Sequence, residues 1–170
     1  KIRVVGCWAH VRRKFDEALQ TLPKEKRQGS LAAVGECYCT KLFQLEETLS
    51  ELTAEERYNK RLELEKPVLD ALLAWAENAS VKTAPKSALG KALHYLREQW
   101  PYLVRYLEDG RLELSNNRAE RSIKPFVMGR KNWLFSNTPA GAQSSAVIYS
   151  LIETAKENDL DPYRYLVWLL

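Results

Sequence analysis

The sequence is poor in the residues that most often announce chemistry or compartment. It has one methionine, two histidines and three cysteines in 170 residues. Cys7, Cys37 and Cys39 are odd in number, and Cys37-Tyr38-Cys39 lacks the two-residue gap of common zinc and redox pairs. With only His10 and His94 to join them, the thiols read as small core residues of a reducing cytoplasm. No apolar run approaches the roughly 18 residues needed to span a bilayer, and no signal-peptide pattern opens the chain. The expectation is a cytoplasmic protein with no membrane partner. Excess charge is also scarce: 26 basic against 22 acidic residues leave a net +4, too mild to indicate nucleic acid by itself.

What the chain does have is an uneven distribution of that charge. Residues 1–30 carry eight bases and three acids, residues 31–110 ten and thirteen, residues 111–135 six and two, and residues 136–170 two and four. Two basic segments flank an acidic middle, an order that lets the flanks share a phosphate-facing surface.

The hydrophobic pattern is mainly helical. Ile2–Val5 reads as a short β-branched strand stopped at Gly6. Trp8, Val11, Phe15, Ala18 and Leu19 then recur at helical spacing, with His10, Arg13 and Lys14 towards the other side and Arg12 beside the stripe. Arg12, Arg13 and Lys14 suit phosphate as well as they suit a solvated face, and His10 is a weaker candidate for a DNA or active-site contact. Residues 23–30, PKEKRQGS, make a polar break. Beyond it, Tyr38, Leu42, Leu45, Leu49 and Leu52 form the seam of packed antiparallel helices. Thr53 and Glu56 have capping-box spacing, opening a helix whose Leu62, Leu69, Leu72 and Ala76 continue the pattern. Pro67 should kink or divide that helix. A third stripe runs through Leu89, Leu93, Leu96, Trp100, Leu103 and Leu107 and ends at Asp109-Gly110.

The stretch from Leu114 to Phe135, LSNNRAERSIKPFVMGRKNWLF, concentrates the candidate chemistry. Asn117 stands three residues before Glu120, the spacing of a capping box, which puts Glu120 in a first helical turn. Around that carboxylate stand Arg118, Arg121 and Lys124, followed at a Gly129 turn by Arg130, Lys131 and Asn132. Converging bases suit a polyanion such as a phosphate backbone, and a carboxylate among them suits a divalent metal held against it. The same residues also describe a capped, solvated helix in which Glu120 pairs with Lys124. Pro125 should end or kink this helix near Lys124. Residues 138–142 read as a loop, followed by a helix burying Ala146, Ile148, Tyr149, Ile152 and Ala155, and by a last helix opened by Asp161-Pro162.

The run NNRAERSIKPFVMGRKNWLF, with Ala140-Gly141-Ala142 and the tail SAVIYSLIETAKENDLDPYRYLVWLL, resembles the C-terminal part of bacterial insertion-sequence transposases of the sixty-six family, the TnpC type. The opening GCWAHVRRKFDEAL resembles the segment that follows that family's second catalytic aspartate. The resemblance implies a DDE-type enzyme on a ribonuclease-H-like core, with magnesium or manganese as cofactor, DNA as partner and pairing of full-length copies. It places the family's third acidic metal ligand on Glu120. Arg118, Arg121, Lys124, Arg130, Lys131 and Asn132 then become phosphate contacts, and Asn116 and Asn117 shape the turn. Both aspartates would lie upstream of Lys1. Two-metal transfer needs carboxylates clamping ions roughly 3.5–4 Å apart, so the chain alone is expected neither to catalyse nor to bind metal tightly. Its alternative role is a non-catalytic remnant, a helical module that binds DNA or pairs with an intact transposase.

The expected fold class is therefore mainly α: a helical-bundle insertion, a partial ribonuclease-H-like core with one or two short strands, and C-terminal helices. The expected divisions are residues 1–22 (end of the core), 23–110 (insertion), 111–137 (return to the core) and 138–170 (tail).

Overall fold

A computed structural model describes residues 3–129 and 138–170. By their internal packing, these fall into two compact units, Lys1–Asn116 and Asn117–Leu170.

The first unit is a helical bundle. In order it holds α1 (Trp8–Gln20), a short α2 (Lys24–Arg27), α3 (Leu31–Thr48), α4 (Ala54–Leu64), α5 (Lys66–Val81), α6 (Ala88–Leu103) and a 3-10 turn, Val104–Glu108. α1 lies against α3 and α6, and α5 packs against α3, α4 and α6. The stripes read from the sequence meet here: Trp8, Val11 and Phe15 from α1, Leu42 from α3, Leu69 and Leu72 from α5, and Leu93 and Leu96 from α6 are all buried. Burying each such side chain contributes about 1.5–3 kcal/mol, so this interior is the main support of the unit. Trp8 also donates its indole N–H to the Leu103 carbonyl at 3.1 Å and meets Trp100 edge-on at 6.0 Å. A Cβ at Gly35 would stand 2.5 Å from the Phe15 ring, so glycine is what lets α1 lie this close to α3.

Helix boundaries follow local chemistry. Ser30, Thr53 and Ser87 each cap a first turn, and Thr53 and Glu56 form the expected reciprocal capping box. The pattern around Pro67 is divided at Glu65, with the proline in the first turn of α5, where its missing amide costs nothing. Pro101 lies inside α6, close to its end, and the tighter 3-10 turn follows.

The expected strands are not formed, and a partial ribonuclease-H-like core is absent among the described residues. Arg3–Val5 has no strand geometry, and residues 111–114, which lead into the Glu120 helix, have none either. A strand needs a neighbour to complete its ladder, and here the backbone is satisfied otherwise. Gly6 N–H donates to the Tyr102 carbonyl at 2.9 Å, and Trp8 N–H to that of Leu114 at 3.1 Å. Helix ends and loops take the hydrogen bonds that β-branched residues alone cannot supply. Two further readings change. Leu62 is exposed while Arg61 is buried, and of the cysteines only Cys39 is in the core, where burial pushes its thiol up to about 12.

The second unit holds α7 (Asn117–Gly129), α8 (Pro139–Glu157) and α9 (Pro162–Leu169). α8 packs against α9 and α7, and Phe126 meets Tyr149 edge-on at 5.2 Å. Pro125 does not end α7; one missing amide removes a single intrahelical bond, and the helix runs on to Gly129. Residues 139–142 are helical rather than a loop, because the Thr138 hydroxyl caps the Gly141 amide and Pro139 takes the first position. Asp161 caps α9 through the Arg164 amide as expected. No helix among the described residues is long and apolar enough to cross a membrane.

Candidate nucleic-acid interface

α7 positions the sequence's main candidates. Asn117 is its first helical residue rather than the cap before it, so Glu120 sits one place deeper than a capping box requires, yet still in the first turn. Residues 117, 120, 121, 124 and 127 follow helical i, i+3, i+4, i+7 spacing. Asn117, Glu120, Arg121 and Lys124 accordingly line one shallow face together with Ile123 and Val127, and all four polar side chains are exposed. This is one carboxylate and two cations on a single exposed helical surface. A carboxylate in a first turn is favoured by the helix dipole.

Arg118 points elsewhere. Its Nε donates to Glu157 Oε2 at 2.5 Å, tying the start of α7 to the end of α8. Asn116, expected to shape the turn, belongs to the first unit, where its backbone N–H faces Cys7 Sγ at 3.5 Å. Arg111 folds back on Asp109, and their hydrogen bonds pull the Asp109 carboxyl down to about 2. Arg12, Arg13 and Lys14 lie on α1 of the first unit. Arg12 pairs with Glu36 at 3.3 Å and Lys14 with Glu17 at 2.9 Å, while Arg13 is exposed. His10 is half-buried on the same helix. Exposed pairs of this kind are worth at most about 1 kcal/mol, so a phosphate can replace the carboxylate at small cost. Arg130, Lys131 and Asn132 lie outside the described residues.

The donor set does not fit a metal ion by itself. Among the described residues no group of three or more His, Cys, Asp or Glu side chains comes together to hold one. Glu120 brings one carboxylate among cations, and a hard divalent ion needs several oxygen ligands.

Sequence reasoning missed a buried polar cluster in the first unit: Arg61, Glu46, Glu65 and Tyr106. A signal was present. Counting back from Leu69 in steps of four gives Glu65 and Arg61, so the buried stripe of α5 continues into α4 through charged residues instead of Leu62.

Residues 1–144 match the family model described as "Transposase IS66 family", and residues 150–170 match "IS66 C-terminal element". The chain is 34% identical over 172 residues to the uncharacterized protein y4hP of Sinorhizobium fredii, covering 96% of this chain and 31% of that one. The proteins y4jD and y4qI of the same organism are 33% and 32% identical, over 99% and 97% of this chain and 32% and 30% of theirs. The chain thus spans about a third of the length of these relatives. No solved structure matches it. A family model covering most of the sequence, including the whole Glu120 helix, is sufficient: the chain belongs to the IS66 transposase family.

Proposed function

We propose that this chain serves as a helical DNA-binding module of a transposase, with α7 as its contact surface. The observation that carries the reading is the exposed face on which Asn117, Glu120, Arg121 and Lys124 stand together. Arg121 and Lys124 contact phosphate oxygens; Asn117 adds an amide that can donate to the same backbone. Arg118, released from Glu157, adds a further cation on α7, and Arg12, Arg13 and Lys14 on α1, with Arg130, Lys131 and Asn132, are further phosphate-contact candidates. Such contacts position a protein on DNA without reading its sequence. The tail, 138–170, packs behind α7.

Within a complete transposase, Glu120 contributes one acidic ligand to a metal site whose other carboxylates come from outside this sequence. Its place among phosphate-binding cations favours this reading. Pairing of full-length copies belongs to the same proposal.

The test is binding of duplex DNA by the 170-residue chain as a function of salt, without divalent metal. Arg121→Ala and Lys124→Ala should each weaken binding and lower the salt slope by about one. Unchanged affinity in the double variant would remove the α7 interface. In a complete transposase, Glu120→Gln should abolish strand cleavage while DNA binding survives.

A further inference from the structure

The first unit encloses a buried polar cluster that the DNA interface does not use. Arg61 on α4 and Glu65 at the α4–α5 junction are fully buried, as is Tyr106 on the 3-10 turn. A guanidinium has five N–H donors, and Arg61 makes five hydrogen bonds. Two go to the Glu46 carboxylate of α3, both at 2.7 Å. Three go to the carbonyls of Tyr106, Asp109 and Leu112, at 3.0, 3.1 and 2.8 Å. No donor remains for Glu65.

Residues 106–112 form a strap that leads towards α7, and Arg61 holds it by those three carbonyls. The fit is close: a Cβ at Gly110 would stand 1.8 Å from the Ala54 carbonyl oxygen, and the Gly110 carbonyl accepts from Arg57 at 3.4 Å. On Glu65, Oε2 accepts from the Tyr106 hydroxyl at 2.6 Å, while Oε1 is buried with no donor. After burial itself, the Glu46 carboxylate, held by Arg61, is the neighbouring acid that pushes the Glu65 carboxyl up. Two carboxylates are both acceptors, so they bond only when one carries a proton. Were both ionised, one buried guanidinium would face two carboxylates, of which Glu65 is fully buried, and unpaired buried charge is costly.

We propose that Glu65 is kept as the neutral acid, its proton shared with Glu46, and that loss of this proton unlatches residues 106–112 from α4. When the Glu65 O–H bond breaks and the proton passes to solvent base, the new carboxylate competes for Arg61. Arg61 can answer it only by giving up a bond it already makes, either to Glu46 or to a carbonyl of the strap. The groups facing Glu65 are Glu46 from α3, Arg61 from α4 and Tyr106 from the 3-10 turn; the Asp109 carboxylate is already engaged by Arg111. Burial pushes the Glu65 carboxyl up to about 8; the Tyr106 hydrogen bond and Arg61 oppose this and Glu46 adds to it.

Hydrogen exchange of the strap amides in the 170-residue chain tests the latch. After correction for intrinsic exchange, one released proton makes the opening constant rise about tenfold per pH unit between about pH 6 and 8. Glu65→Gln, which carries a permanent donor and acceptor, should remove that dependence and keep the strap closed. Infrared titration of the unsubstituted chain is the second readout: a protonated-carboxyl band should be present near pH 6 and disappear as pH passes about 8. Strap protection that does not vary with pH, or a carboxylate signal alone near pH 6, would overturn the proposal. If Glu65→Gln does not fold, the infrared titration decides by itself.

Discussion

The two units put similar helical patterns to different uses. In the first, the aromatic and aliphatic stripes close on each other: Trp8, Phe15, Leu42, Leu72 and Leu96 have no exposed surface. In the second, Ala155 is the one buried hydrophobic residue among those described, while Ile123, Val127, Tyr163 and Trp168 remain exposed, Trp168 at 79%. The first unit therefore has an interior that can sustain its own fold. The second is held by caps, the Phe126–Tyr149 contact and the Arg118–Glu157 pair, each a small contribution. An amphipathic stripe announces a helix equally well in both units. It does not announce whether the stripe is covered.

The contrast can be broken at its strongest point by substituting Arg61. Arg61→Met removes five hydrogen bonds and leaves Glu46 without its partner, and should cost about 3–5 kcal/mol in urea unfolding of the first unit. Trp8→Ala, which empties a fully buried site and frees the Leu103 carbonyl, should cost a similar 3–5 kcal/mol. Tyr106→Phe comes next, at about 1–3 kcal/mol, because Glu65 loses its buried donor. The same change should raise the Glu65 carboxyl further, since that hydrogen bond lowers it now. Thr53→Ala removes the capping box and should cost about 1 kcal/mol. At the other end of the comparison, Trp168→Ala should stay within about 0.5 kcal/mol. A large loss there would mean that the exposed α9 face is covered under the conditions of the measurement.

Proton linkage sharpens the same comparison. Glu65 has a folded value raised from 4.5 to about 8, so its stabilisation is complete below about 4.5 and is lost as pH rises towards about 8. Thermal unfolding of the first unit should shift downwards across that window, and Glu65→Gln should flatten the profile.

Much of this was readable before any coordinates. The α1, α3 and α6 stripes, the Thr53–Glu56 box, the break at Pro67 and the Asp161 cap depend on residues within a few positions of each other. The first-turn position of Glu120 and the Arg121–Lys124 spacing were legible for the same reason. At Arg3–Val5 the β-branched composition states a preference, whereas a strand exists only where a second one completes its ladder. At residues 139–142 proline and glycine suggest a loop, whereas proline in a first turn after a capping threonine is a helix start.

The sequence by itself determined the family, the helical character and the grouping of bases around Glu120, since each is carried by residue identity and short-range spacing. Only the tertiary structure decided that Arg118 faces Glu157, that Arg61 rather than Leu62 enters the interior, and that Glu65 shares its burial with Tyr106 and Glu46. Those partners lie 15 to 51 residues apart in the chain. The choice among distant partners is made by desolvation and donor geometry, which no local pattern records.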